Sequence, residues 1–99
     1  MALKIGDPNG GYGAEILCPA CGSNYLHHYK TEVFERNEDA AHGLHVVVTS
    51  EKASIDNDLT ENPSARRHGL KIHFGCEGCQ AKPVLSISQH KGNTYVEFE

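Results

Sequence analysis

The sequence predicts an all-β, or nearly all-β, domain built on one small antiparallel sheet, and three observations carry that prediction. The stretch Leu44-His45-Val46-Val47-Val48-Thr49 has the β-branched density of a strand. Leu70-Lys71-Ile72-His73-Phe74-Gly75-Cys76 alternates apolar and polar side chains with period two. No segment sustains the three-to-four spacing of an amphipathic helix.

From the start of the chain, residues 6 to 13 contain four glycines and one proline, a composition that resists regular structure and suggests a mobile arm or wide turn, and residues 1–13 are expected to form a flexible arm. No Gly-Lys-Ser/Thr follows, which excludes a phosphate-binding P-loop. Ala14 to Leu17 reads as a short strand entering Cys18-Pro19-Ala20-Cys21-Gly22, and Tyr25 to about Arg36 reads as the strand leaving it. Asn37 to Gly43 is expected to turn the chain into the Leu44–Thr49 strand. The polar run from Ser50 to Arg67 is expected to be a surface loop with one helical turn, and in it Asn62-Pro63 is a turn-starting pair.

The next strand places Leu70, Ile72, Phe74 and Cys76 on one face, with Lys71 and His73 on the other. The C-terminus reads as a hairpin around His90-Lys91-Gly92-Asn93. Opposing Gln89 with Thr94 sets Ile87 across from Val96 and Leu85 across from Phe98, giving two apolar pairs on one face. Residues 14–99 are thus expected to be one domain, with an inserted strand and loop segment at about 37–69.

A chain of 99 residues has room for a single domain. With 38% hydrophobic residues, no tryptophan, four tyrosines and three phenylalanines, its core must be thin, and a covalent or metal staple would add useful stability. No run of signal-peptide length opens the chain, and no stretch of about 18 apolar residues occurs to cross a bilayer. The expected location is the cytoplasm, without a membrane partner. The net charge of -4 gives little general attraction to phosphate.

The four cysteines form two Cys-x-x-Cys pairs, Cys18/Cys21 and Cys76/Cys79. Two thiolates separated by two residues fit one tight turn, and two such turns complete a tetrahedral set. In a reducing compartment thiolates persist as metal ligands where disulfides would open. The sequence therefore predicts that Cys18, Cys21, Cys76 and Cys79 bind one structural zinc ion, with iron in a rubredoxin-like centre as the second candidate. Free thiols and redox-active dithiols are the remaining alternatives, but a thioredoxin-type dithiol should open a helix, and Gly22-Ser23-Asn24-Tyr25 leads into a strand.

Four thiolates leave no open position for an activated water, so no enzyme activity and no catalytic residue is expected. The gap of 54 residues between the pairs exceeds the compact spacing of about 15 to 20. Loop-closure entropy grows only logarithmically and charges roughly 1 kcal/mol for it, against about 10–16 kcal/mol for a structural zinc.

The first pair, with Pro19 and Gly22, closely resembles a zinc-ribbon knuckle. Cys76-Glu77-Gly78-Cys79-Gln80 resembles the second knuckle, but its glycine stands at 78 and Gln80 occupies the usual glycine place. The run Asn62-Pro63-Ser64-Ala65-Arg66-Arg67-His68-Gly69-Leu70, leading into Cys76-Glu77-Gly78-Cys79, is also similar to short uncharacterised phage and prophage proteins. Resemblance to the zinc-ribbon superfamily implies a binding module that contacts protein or nucleic acid, without naming the partner.

Weaker signals remain. His27 and His28 point to opposite faces of a strand and read as surface residues. His45 and His73 could meet across neighbouring strands, but read more simply as polar-face residues of a half-buried sheet. Asp56-Asn57-Asp58 lacks the glycine and glutamate of a calcium loop. Arg66, Arg67, His68 and Lys71 form the one basic cluster, a candidate surface for an acidic protein or a nucleic acid, unless these residues pair internally with Glu32, Glu35 or Asp39. The expected function is a non-catalytic adaptor or inhibitor that binds another protein, with a nucleic-acid-binding ribbon as the alternative; the oligomeric state is not legible.

Overall fold

The structure, a computed structural model, describes residues 1–8 and 11–99. Eight strands follow in order: β1 (Ile5–Pro8), β2 (Ala14–Ile16), β3 (Leu26–Glu35), β4 (Leu44–Thr49), β5 (Lys52–Asp56), β6 (Gly69–Cys76), β7 (Val84–His90) and β8 (Asn93–Phe98). There is no helix among the described residues, hence none long and apolar enough to cross a membrane. The fold is all-β, as the sequence predicts.

Six strands make one antiparallel sheet in the order β5-β4-β3-β6-β7-β8, and β1 and β2 form a separate two-stranded ribbon. Two tight hairpins supply the outer pairs. Ser50 and Glu51, with φ of 53° and 62°, join β4 to β5, and Lys91 and Gly92, with φ of 51° and 81°, join β7 to β8. Positive φ at both central residues is the turn whose twist matches that of its strands. The register of the C-terminal hairpin is the expected one: Gln89 faces Thr94, Ile87 faces Val96 and Leu85 faces Phe98.

Strand alternation divides the sheet into two unlike faces. Val33, Val46, Val48, Leu70, Ile72, Leu85, Ile87, Val96 and Phe98 share one face. At its cysteine end, Phe74, Leu85 and Phe98 form the buried cluster, with Leu3, Ile16, Leu26 and Ile72 packed against it. The far part of the same face is open, leaving Val33, Leu44, Val48, Ile55 and Val96 exposed.

Glu32, Phe34, His45, Lys71, His73 and Ser86 lie on the opposite face. The connection between β5 and β6 folds over part of it: Ser64 is buried and its hydroxyl donates to the Gln89 carbonyl at 2.6 Å. Gly69 is required there, because a Cβ would sit 2.1 Å from Asn62 Oδ1 and 2.7 Å from the Pro63 ring.

Two segments differ from their sequence expectation. Within the stretch expected to be a flexible arm, Ile5–Pro8 is a strand paired with Ala14–Ile16, and Leu17 N–H donates to the Lys4 carbonyl at 2.9 Å. Asn9 and Gly10 of that expected arm lie outside the described residues. Gly11 and Gly13, with φ of 81° and 89°, bend the chain back into β2, so the glycines serve a turn. Residues 50–67 contain no helical turn; they open with β5 instead. Asx turns then carry the chain onward, with Asp58 N–H on Asp56 Oδ1, Thr60 N–H on Asp58 Oδ1 and Ser64 N–H on Asn62 Oδ1.

Candidate metal centre

Strand pairing explains how two cysteine pairs 54 residues apart meet. The ladder between β3 and β6 runs to the last residue of β6, where Cys76 stands opposite Leu26. The first knuckle lies just before β3 and the second just after β6, so antiparallel pairing brings both turns to the same end of the sheet. Glu77 N–H then donates to the Tyr25 carbonyl at 3.0 Å, joining the two turns directly.

The first turn is closed by Gly22 N–H on the Cys18 carbonyl at 2.9 Å and Cys18 N–H on the Ser23 carbonyl at 2.8 Å. Gly22 has φ of 80°, the left-handed conformation that glycine adopts without strain. In the second turn Gly78 N–H donates to Cys76 Sγ at 3.3 Å. Gly78 has a steric reason to be glycine: a Cβ would lie 2.8 Å from Ser23 Cβ and 3.2 Å from Cys21 Sγ. The glycine displaced from its usual place thus lets the second knuckle press against the first.

All four sulfurs lie within 4.8 Å of one another. Cys18 Sγ is 3.9 Å from Cys79 Sγ, and Cys21 Sγ is 3.6 Å from Cys76 Sγ. A tetrahedron of metal–sulfur bonds of about 2.3 Å has sulfur–sulfur edges of about 3.8 Å, which these distances match. A disulfide needs about 2.05 Å, and all four cysteines are free. The cluster therefore fits a structural metal site formed by Cys18, Cys21, Cys76 and Cys79.

The electrostatics also call for a cation. Burial acts to raise the Cys18 thiol, but the N–H groups of Cys21 and Ala20 and the neighbouring thiols bring it down to about 7. At Cys21 the Ser23 N–H acts to lower the thiol, yet burial and the three other thiols push it up to about 12. Four sulfurs this close cannot all ionise unaided, and a bound divalent ion would supply the compensating charge. Cys18 is fully buried while Cys21 is exposed, so the centre is anchored in the core and opens to solvent on one side.

A second polar cluster, missed in the sequence except for its histidines, is centred on Glu32. His45 Nε2 bonds Glu32 Oε1 at 2.9 Å, His73 Nε2 bonds Glu32 Oε2 at 2.6 Å, and His45 Nδ1 bonds Asp56 Oδ1 at 2.9 Å. His45 and His73 thus converge on one carboxylate. Both nitrogens of His45 face carboxylate oxygens, and only the imidazolium donates from both. Burial opposes that charge, but the hydrogen bonds His45 donates to Glu32 and Asp56 raise its pKa. Conversely, burial acts to raise Glu32, while the bonds from His73 and His45 hold it below the usual carboxylate range. The ring of His45 also stacks on buried Phe34, with centroids 4.4 Å apart and planes 7° from parallel. The signal available in the sequence was that Glu32, His45 and His73 all occupy the polar side of their strands.

The basic cluster does not form one continuous surface. Arg66 grips Asp39 through Nε and a terminal nitrogen, both at 2.7 Å, with Glu38 at 3.5 Å. Arg67 lies 3.8 Å from Glu38. His68 Nδ1 accepts the Arg36 N–H at 3.0 Å. Lys71 is buried on the polar face of the sheet, with Glu99 at 3.2 Å and Glu61 at 3.5 Å. His27 and His28 are exposed, and His27 contacts Glu77 beside the second knuckle.

Comparison with protein-family models, curated proteins and solved structures finds no match to this chain, so the resemblances to zinc ribbons and to phage proteins rest on the motif residues themselves.

Proposed function

We propose that this chain is a non-catalytic zinc-binding module, an adaptor or inhibitor that acts by binding another protein in the cytoplasm. The observation that carries the reading is the convergence of four cysteine sulfurs within 4.8 Å of one another, with two of the sulfur–sulfur distances, 3.9 and 3.6 Å, near the tetrahedral edge. Four thiolates saturate a tetrahedral ion, so neither substrate nor water has a position on it. Zinc is preferred to iron because it holds thiolates without redox change, and Cys21 leaves the centre open to solvent oxidants.

A protein partner is favoured by the open apolar face, where Val33, Leu44, Val48, Ile55 and Val96 are exposed together. Nucleic acid is the weaker alternative, since Arg66 is held by Asp39, Lys71 is buried and the chain carries a net charge of -4.

Elemental analysis of the purified protein tests the metal, with one zinc per chain expected; iron, or no stoichiometric metal, overturns that part. A salt titration with mixed-sequence DNA and RNA tests the partner class. No binding is expected at low salt, and steeply salt-dependent binding abolished by Arg66→Ala/Arg67→Ala would replace the protein partner with nucleic acid.

A further inference from the structure

The two edges of the six-stranded sheet are not alike. On β8 the N-terminus engages the outer edge at its last residue, where Phe98 N–H donates to the Met1 carbonyl at 2.8 Å and the Met1 amino group bonds the Phe98 carbonyl, while Asn93 to Glu97 are exposed. On β5 every residue from Lys52 to Asp56 is exposed, and among the described residues β4 is its only neighbour in the sheet. Sheet edges are normally blunted by shortness, proline, bulges or charged side chains. β5 has no proline, its register with β4 is continuous, and its charges stand only at its ends.

The two-residue turn makes Thr49 and Lys52 a hydrogen-bonded pair, so Lys52, Ser54 and Asp56 bond towards β4. The N–H and C=O groups of Ala53 and Ile55 therefore point outward. The sequence Lys52-Ala53-Ser54-Ile55-Asp56 is also antisymmetric in charge about Ser54. Placed antiparallel to itself with the two Ser54 residues facing, it sets Lys52 of each copy opposite Asp56 of the other and Ala53 opposite Ile55. The outward-facing residues then pair with each other and exchange four N–H···O bonds.

We propose that β5 is a self-pairing edge, through which two copies of this chain join antiparallel about Ser54 into one continuous sheet. Both Lys52–Asp56 pairs occupy non-hydrogen-bonded positions, where facing Cα atoms lie about 4.5 Å apart and side chains meet closely. Asp56 Oδ1 is taken by His45 and the Asp58 N–H, and Oδ2 remains for the lysine. On the other face Ile55, 68% exposed in the single chain, packs beside Ala53 of the second copy. The open apolar faces become one surface twice as wide. The join requires only the β4–β5 hairpin and is independent of the proposed metal.

Analytical ultracentrifugation of the full, metal-loaded chain at low salt tests this. A concentration-dependent species of twice the 10.8 kDa chain mass is expected. Lys52→Asp alone and Asp56→Lys alone each set like charges opposite one another at both ends, and each should weaken association by about tenfold or more. Mixing these two variants restores opposite charges at both ends and should restore the dimer. Ala53→Pro removes an outward N–H while leaving the bonds to β4, and should give a monomer with an unchanged circular dichroism spectrum. A wild-type chain that stays monomeric at every concentration reached overturns the proposal. A dimer that survives Ala53→Pro overturns it as well, and loss of that dimer in Val48→Glu would place the contact on the apolar face instead.

Discussion

At the residue scale, the clustering of the four cysteines was readable because cysteine chemistry and spacing are local, whereas what the cluster rests on was not. Gly78 is a departure from the knuckle pattern in sequence, and its reason lies more than 50 residues away, where Ser23 and Cys21 leave no room for a Cβ. A methyl group there must part the two turns, so Gly78→Ala should lower metal affinity by about 10- to 100-fold in a chelator competition, while Gln80→Gly should leave it unchanged. Glu32 was similarly hidden, since its two histidine partners come from β4 and β6, on either side of it. The pKa of His45 is raised in the folded chain, so its contribution is complete below the ordinary histidine value near 6.5 and is lost as pH rises through the folded value. Glu32 is lowered, so its contribution is present above its ordinary value of 4.5 and is lost as pH falls through the folded value. Denaturant midpoints of the metal-loaded protein should therefore decline above about pH 6.5. That decline should be absent in His45→Gln. The alkaline side is the informative one, because acid also strips thiolate-bound metal.

At the element scale, strands with strong alternation or β-branched density were legible, and the C-terminal hairpin was legible down to its register. β5 was not, and the reason lies in its turn and its exposure. The turn at Lys91-Gly92 contains the glycine that marks a hairpin, whereas Ser50 and Glu51 adopt the same positive φ with neither glycine nor asparagine. β5 itself is exposed along its length, so it carries no run of buried apolar residues to announce a strand. β1 was masked by the opposite effect, a glycine-rich composition that reads as irregular, although Gly11 and Gly13 take the positive φ that bends the chain into β2. The strain at Ser50 and Glu51 is measurable. A non-glycine residue in the left-handed region costs about 1–2 kcal/mol, and Asn-Gly is the pair that favours this turn. Ser50→Asn/Glu51→Gly should stabilise the protein by about 1 kcal/mol or more, read as a higher denaturant midpoint with unchanged slope.

At the scale of the whole molecule, the balance of energies decides what the metal does. Among the described residues the buried apolar ones are Cys18, Phe34, Phe74, Pro83, Leu85 and Phe98, and Cys18 belongs to the candidate metal cluster. Phe34 stands apart from the cluster of Phe74, Leu85 and Phe98, on the polar face against His45. A domain of this size holds about 5–15 kcal/mol of net stability, and so thin a core places it near the low end. Structural zinc in a four-ligand site contributes about 10–16 kcal/mol of apparent binding energy, as much as or more than the total. Metal removal should therefore unfold the entire chain and not merely loosen the cysteine end. Excess chelator should abolish the β-sheet circular dichroism signal in one cooperative step, and zinc should restore it. Cys76→Ser/Cys79→Ser, which leaves the core untouched, should yield an unfolded chain that zinc at the same concentration does not rescue. A sheet that keeps its spectrum and melting behaviour without metal would show that strand pairing and the small core suffice, and would reduce the four cysteines to an ornament of a fold that stands without them.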